Sequence, residues 1–301
     1  MKRAAPPRTI APPPAAGLAP DAVLAGSGSN FRTAFLCIDP ERRDGMTAIY
    51  AFCRVADDAA DDAPDRETGA AHVAFWREEL AAATRGAATT PVGRALAATM
   101  ARFGTERAAL DALLDGVAMD LLPSGFADEQ ELRHYCDCVA SAVGRACLPV
   151  LGASGPAAVR FANALGQALQ FTNILRDLRV DAAIGRVYAP RSWLAECAVD
   201  AAWLDGDGPP AAYAPDGPIA RLRARFVATA RGDFAAAYGA LAELPRPQRR
   251  ALVPARIMAA VYRSLLGRLT GLGGALPPER VRVPKAIKLW WAASIQLGVS
   301  V

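Results

Sequence analysis

The 301-residue sequence predicts an all-α protein, a single helical bundle. Three observations carry this. Apolar residues recur at three- and four-residue spacing through most of the chain. The breaks between periodic runs hold Gly and Pro. No stretch alternates apolar and polar residues as a half-buried strand would, and no repeat of fixed period is present.

Taken in order, residues 1–25 are rich in Pro and Ala without periodicity and read as a disordered extension, with one domain over 26–301. Asp39-Pro40-Glu41 is a strong helix start: an Asp cap, Pro at the first helical position and an acidic first turn. That helix is expected to run to about Asp62 and to stop before Pro64. Further helical patterns lie at 69–85, 91–103, 106–122, 128–151, 156–181, 218–243, 246–271 and 284–298. Asp205–Pro218, rich in Gly, Pro and Asp, is the longest loop and reads as a surface loop.

Several function classes drop out. A formal charge of +4 is small for this length and implies no nucleic-acid partner. The six cysteines form no CxxC pair and only two histidines are present, so a zinc site is not expected. Most cysteines sit in apolar helical patterns, as reduced thiols of a cytoplasmic protein do. The basic start is followed by prolines rather than an apolar run, which does not read as a secretory signal. No uncharged apolar run is long enough to span a bilayer. The Gly26–Phe31 run lacks a third glycine and a preceding strand, and GxxxxGK[ST], GxSxG and HExxH motifs are absent.

What remains is an unusual placement of carboxylates. Ile49–Asp62 reads IYAFCRVADDAADD, with Asp57, Asp58, Asp61 and Asp62 closing an apolar helical run. Residues four apart on a helix lie one above the other, about 6 Å apart. The stripe Met46, Ile49 and Tyr50, Cys53, Asp57, Asp61 therefore carries two carboxylates inward, while Asp58 and Asp62 are turned about 100° away. Asp177 and Asp181 have the same spacing, on a stripe running back through Asn173, Gln170, Leu169, Gly166 and Ala162 as a cavity wall would. Burying bare carboxylates is costly without a cation. Oxygen-only ligands favour a hard ion such as Mg²⁺, or Mn²⁺ in its place, which shares the oxygens of a bound phosphate. Arg54, one turn before Asp57, reaches the same phosphate oxygens in this reading. Spacing alone is weak: Asp111 and Asp115 share it but lie beside the stripe Leu110, Leu113, Leu114, Val117, Leu121 and read as solvated.

At these residues the sequence resembles the squalene/phytoene synthase family. AIYAFCRVADD (Ala48–Asp58) is similar to its first aspartate-rich motif and QFTNILRDLRVDAAIGRVYAP (Gln170–Pro190) to its second. The resemblance covers about Asn30 to Leu297. It implies the all-α isoprenoid synthase fold with a central cavity, Mg²⁺, and head-to-head coupling of two prenyl diphosphates. It implies Asp57, Asp61, Asp177 and Asp181 as metal ligands and catalytic residues, with Asn173 as an accessory ligand and Tyr188 as a further catalytic residue. Tyr50, Arg54, Tyr135, Gln170, Arg186, Tyr262 and Arg280 correspond to substrate-binding positions. Three departures stand out: Asn30-Phe31-Arg32-Thr33 where serine and tyrosine are usual, Val180 in place of an acidic residue, and Ala189 in place of leucine.

YCDCVASAVGR, NILRDLRVDAAIGRVY and RVRVPKAIKLWW resemble the bacterial branch that forms presqualene diphosphate in hopanoid pathways. That implies two farnesyl diphosphates as substrates. The alternatives are phytoene synthesis from two geranylgeranyl diphosphates and, in another class, a non-catalytic assembly protein retaining the fold. No nicotinamide signature is recognised. The tail KAIKLWWAASIQLGVSV, with two lysines and two tryptophans, admits a peripheral membrane contact at the inner face. It reads more readily as a bundle helix with packed tryptophans. Downstream enzymes of the same pathway are expected partners.

Overall fold

The computed structural model describes residues 10–26, 38–122 and 125–297. Asn30–Thr33, most of the Gly26–Phe31 run and Cys37 lie outside the described residues. Among those described there is no strand. We number the helices α1 (Pro20–Gly26), α2 (Pro40–Asp61), α3 (Arg66–Ala83), α4 (Pro91–Phe103), α5 (Arg107–Asp120), α6 (Glu129–Cys136), α7 (Ala142–Leu151), α8 (Pro156–Ala183), α9 (Arg191–Cys197), α10 (Pro218–Glu243), α11 (Arg246–Ala251), α12 (Val253–Thr270) and α13 (Lys285–Gln296).

Local chemistry sets the helix starts. Asp39 caps α2, its carboxylate accepting from the Arg42 amide at 3.0 Å, with Pro40 at the first position. Asp65 caps α3 in the same way at 2.7 Å, so this helix begins three residues earlier than expected from the apolar pattern. α2 buries Ile49, Phe52, Val55, Ala56 and Ala59 and packs on α1, α3, α4, α5 and α7. Trp76 of α3 is fully buried and meets Phe52 edge-on at 6.3 Å. The same core continues between α8 and α10, where Phe171, Trp193 and Phe226 form a fully buried aromatic cluster.

Four expectations are corrected. From Ile10 on, the Pro-rich extension is placed rather than structureless. Pro14 and Pro20 open a 3₁₀ turn and α1, where a missing N–H costs nothing, and Val23 is buried against the bundle. The expected single helix over 128–151 is broken by a π-turn at Asp137–Ser141. The pattern over 246–271 divides at Leu252, because Pro254 can neither donate to the preceding turn nor fit beside it. The Asp205–Pro218 loop is built around a 3₁₀ turn at Pro210–Tyr213, whose Tyr213 hydroxyl donates to the Trp203 carbonyl at 2.8 Å. α9 escapes sequence reading because seven residues are too few to show periodicity.

The π-turn is wedged between two glycines. A Cβ on Gly116 of α5 would stand 2.6 Å from the Val139 side chain, and one on Gly166 of α8 would stand 2.5 Å from the Ser141 backbone. Gly166 is therefore a helix-contact residue, not part of a cavity wall as its place on the aspartate stripe suggested. Ala162, further back, packs against Gly144. This close approach sets the height at which α8 carries its aspartates. Gly166→Ala is expected to push α8 off the π-turn and cost about 1–3 kcal/mol, read as a lowered Tm. Gly239→Ala, on an open face of α10, is the control and should leave Tm unchanged or raise it.

Candidate active site

The C-terminal turns of α2 carry the first aspartates. Asp57 is half-buried, and its carboxyl is pushed up to about 7. Loss of water is the main cause and the Asp61 carboxylate adds to it, against the pull of Arg54. Asp61 lies at the rim and accepts from Arg186 Nη1 at 2.6 Å. The stripe through Cys53, Asp57 and Asp61 is the edge of the buried face rather than its centre, which runs through Phe52, Val55, Ala56 and Ala59. This geometry also places two neighbours. Arg54 places its guanidinium on Asp58, 2.5 Å away and four residues on, rather than beside Asp57. Asp58 is accordingly sheltered, 23% exposed against 47% for Asp61. Tyr50, two turns before Asp57, packs half-buried against the core.

A third carboxylate joins them, and sequence reading missed it. Asp120, at the end of α5, accepts from the Tyr188 hydroxyl at 2.7 Å and from the Tyr135 hydroxyl at 3.1 Å. Burial pushes it up to about 6, while the two hydroxyls and the Arg186 charge pull it down. Burial, and then the Asp120 charge, hold both phenols above their usual range. Phe126 lies 5.2 Å from Tyr135 and 6.2 Å from Tyr188, and the two tyrosine rings are 5.4 Å apart. Beside this cluster opens a cavity of ≈ 630 Å³ lined in part by Asp120, Phe126, His134, Arg186 and Tyr188. The signal was present: Asp120 follows Leu113 at +7 and Val117 at +3 on the buried stripe. Asp111 and Asp115 lie off it, facing Arg77 and Arg107.

The second patch lies on α8. Asp177 is 7% exposed and is gripped by two arginines, Arg176 through Nε at 2.8 Å and Nη2 at 2.5 Å, and Arg280 through Nε at 3.1 Å. Tyr262 hydrogen-bonds Arg176, so the two C-terminal residues implied by resemblance, Tyr262 and Arg280, meet around Asp177. Asp181 is pushed up to about 7 by burial and then by Asp177, against the pull of Arg280, Arg186 and Arg176. Gln170 Oε1 accepts from Asn173 Nδ2 at 3.3 Å, which leaves Asn173 Oδ1 buried without a partner. Val180 and Ala189 are spectators of this arrangement, Ala189 being buried in the core.

α2 and α8 share no extended packing, whereas each packs on α7. Arg186, in the segment that follows α8, joins their aspartates: it bonds Asp61, and its charge acts on both Asp120 and Asp181. Among the described residues no three His, Cys, Asp or Glu side chains converge closely enough to bind a metal by themselves. Any ion held here takes part of its coordination from elsewhere. An oxygen-only donor set of paired carboxylates and one unpartnered amide oxygen fits a hard divalent cation that shares substrate or water oxygens.

Known proteins resemble this chain along most of its length. The family model for squalene/phytoene synthase matches residues 24–286. A presqualene diphosphate synthase of Rhodopseudomonas palustris is 36% identical over 87% of this chain and 91% of its own. One from Zymomonas mobilis is 36% identical over 89% of each. A phytoene synthase of Mycobacterium tuberculosis is 32% identical over 91% of this chain and 88% of its own. Among solved structures, squalene synthase HpnC from Alicyclobacillus acidocaldarius superposes with a TM-score of 0.73 at 26% identity, covering 84% of this chain and 92% of that one. A dehydrosqualene synthase superposes with a TM-score of 0.78 at 23% identity, covering 92% and 94%, and shows the shared fold. The helical architecture, the two aspartate-bearing helices and the extent of these matches lead to one conclusion: the chain belongs to the squalene/phytoene synthase family and is one of its prenyl-transferring enzymes.

Proposed function

We propose that this enzyme condenses two farnesyl diphosphates head-to-head to presqualene diphosphate, releasing one diphosphate. The observation that carries the substrate choice is the level of identity: 36% to presqualene diphosphate synthases against 32% to a phytoene synthase of similar coverage. The same comparison keeps condensation of two geranylgeranyl diphosphates to phytoene as the second reading.

Asp57 and Asp61 on one side, and Asn173, Asp177 and Asp181 on the other, are the residues that would hold Mg²⁺. When bound, the metal supplies positive charge that makes diphosphate a better leaving group. The chain's own cations complete the cradle. Arg54, Arg176, Arg186 and Arg280 each rest on a site carboxylate, and a guanidinium suits phosphate oxygens as well as it suits carboxylate. Departure of diphosphate leaves an allylic cation that attacks the C2–C3 double bond of the second substrate; loss of a proton then closes the cyclopropane. The faces of Phe126, Tyr135 and Tyr188 offer π density to such a cation. Tyr188, whose hydroxyl already donates to Asp120, is the chain's acceptor for that proton, passing its own to Asp120 as it takes the new one. Gln170 orients Asn173.

Three outcomes test this reading. Farnesyl diphosphate with Mg²⁺ and no reductant should give a cyclopropyl C30 diphosphate by mass; phytoene from the C20 substrate would overturn the substrate choice. Asp57→Asn and Asp177→Asn should each abolish that product while helicity by circular dichroism is unchanged. Asp120→Asn and Tyr188→Phe should lower turnover by on the order of 10²-fold or more, with the Mg²⁺-induced rise in Tm retained, since neither is assigned to metal.

Stability should also depend on pH. Asp57 and Asp181 are pushed up to about 7 and Asp120 to about 6, all above the unfolded carboxylate value. Between those values the folded chain binds more protons than the unfolded one. These groups therefore favour the fold most at low pH and lose that contribution as pH rises through 6 to 7. Mg²⁺ should raise Tm more at about pH 8 than at about pH 5, because it binds the ionised carboxylates. An equal rise at both would remove the carboxylates as its ligands.

A further inference from the structure

The C-terminal helix α13 has two apolar faces and needs only one of them to pack. Its inner face lies on α12: Ala292 and Ile295 are buried, and Trp291 Nε1 donates to Ser264 Oγ at 2.9 Å. The opposite face is a stripe of Ala286, Leu289, Trp290, Ala293 and Leu297, recurring every three or four residues and facing solvent. Leu289 is 60%, Trp290 57% and Leu297 86% exposed. Trp290 is held in place by Trp291, edge-on at 4.5 Å. The expectation that both tryptophans pack is thus corrected: Trp291 packs and Trp290 does not.

The flank of this stripe is cationic. Arg280, Arg282, Lys285 and Lys288 fall within nine residues, and the sequence holds no Asp or Glu after Glu279. Two of the chain's three lysines are here. Burial, then the neighbouring Arg282 and Lys285, push the Lys288 amine below its ordinary range, so the like charges are felt locally.

We propose that α13 docks on an anionic lipid bilayer surface, with Leu289, Trp290 and Leu297 entering the headgroup boundary and Arg282, Lys285 and Lys288 facing lipid phosphates. An amphipathic helix with tryptophan and leucine on one side and basic residues beside them lies in the interface plane. No described helix is long and apolar enough to cross a membrane, so docking is superficial. Charge decides against a second copy of this chain as the occupant, because pairing two such helices would bring the two basic clusters together without an acidic partner. Docking also places the active site near the surface: Arg280, at the start of this segment, rests on Asp177, and the exposed Ile184 follows Asp181 by three residues.

The test uses the full chain without substrate, so its outcome is separate from that of the proposed reaction. Flotation with phosphatidylcholine vesicles, with and without phosphatidylglycerol, should show binding that needs the anionic lipid and weakens as salt is raised. Leu289→Ser with Trp290→Ser should weaken it by about tenfold or more, and Lys285→Glu by several-fold, with helicity unchanged. Trp emission of the wild type should shift to the blue on binding, and the shift should be lost in the Trp290 variant. Failure of the wild type to bind anionic vesicles, or equal binding by the variants, would overturn the proposal. So would a concentration-dependent dimer that the Trp290 variant dissolves without any vesicle binding, which would give the stripe to a second copy.

Discussion

The structure depends on a crowding of carboxylates that its own helices cannot neutralise. Asp57, Asp61, Asp120, Asp177 and Asp181 sit at or near the ends of three helices, most of them shielded from water. Asp57, raised by burial and by Asp61, and Asp181, raised by burial and by Asp177, lack enough cationic charge to restore an ordinary carboxyl. Two of the arginines that answer this charge come from elsewhere in the chain. Arg186 follows α8 and reaches Asp61 on α2; Arg280 precedes α13 and reaches Asp177 on α8. Each ion pair therefore ties a distant segment to an aspartate helix. The pairs are also replaceable, since a guanidinium that rests on a carboxylate can rest on phosphate once a metal takes the carboxylate.

Such a site works only if the two aspartate helices are held at a fixed separation. They share no extended contact, so other elements set the gap. α7 packs on both, and the π-turn before it locks between Gly116 and Gly166. That turn begins two residues after Tyr135, which it helps to aim at Asp120. A π-turn is a local irregularity that tight packing must maintain, and here the two glycines supply that packing. Residues far from the chemistry thus govern where the tyrosines and the second aspartate pair stand.

Much of this was legible from sequence, for physical reasons that differ by residue. The all-α class followed from periodicity, and most long helices from capping and Pro or Gly breaks. Asp57, Asp61, Asp177 and Asp181 were visible because an acidic residue on an apolar stripe is costly and rarely accidental. Asp120 obeys the same rule on α5 but has no second carboxylate one turn away on its stripe, so a search for pairs passed over it. That Arg54 rests on Asp58 was not legible, because spacing of three and of four residues both bring side chains together, and only the folded helix chooses between them. Gly166 looked like a cavity wall because a small residue on a stripe fits either a void or a close helix contact.

The sequence by itself determined the helices, the two aspartate-rich patches and the family, since these rest on spacing within one element or on long contiguous motifs. Only the tertiary structure decided that Arg186 bridges the two patches, that Asp120 carries the tyrosine pair, that α13 leaves Trp290 in solvent, and that Gly166 is a contact. Each of these joins residues far apart in the chain or depends on which of two helix faces finds a partner. Periodicity within a helix records that a face is apolar; it does not record what covers that face.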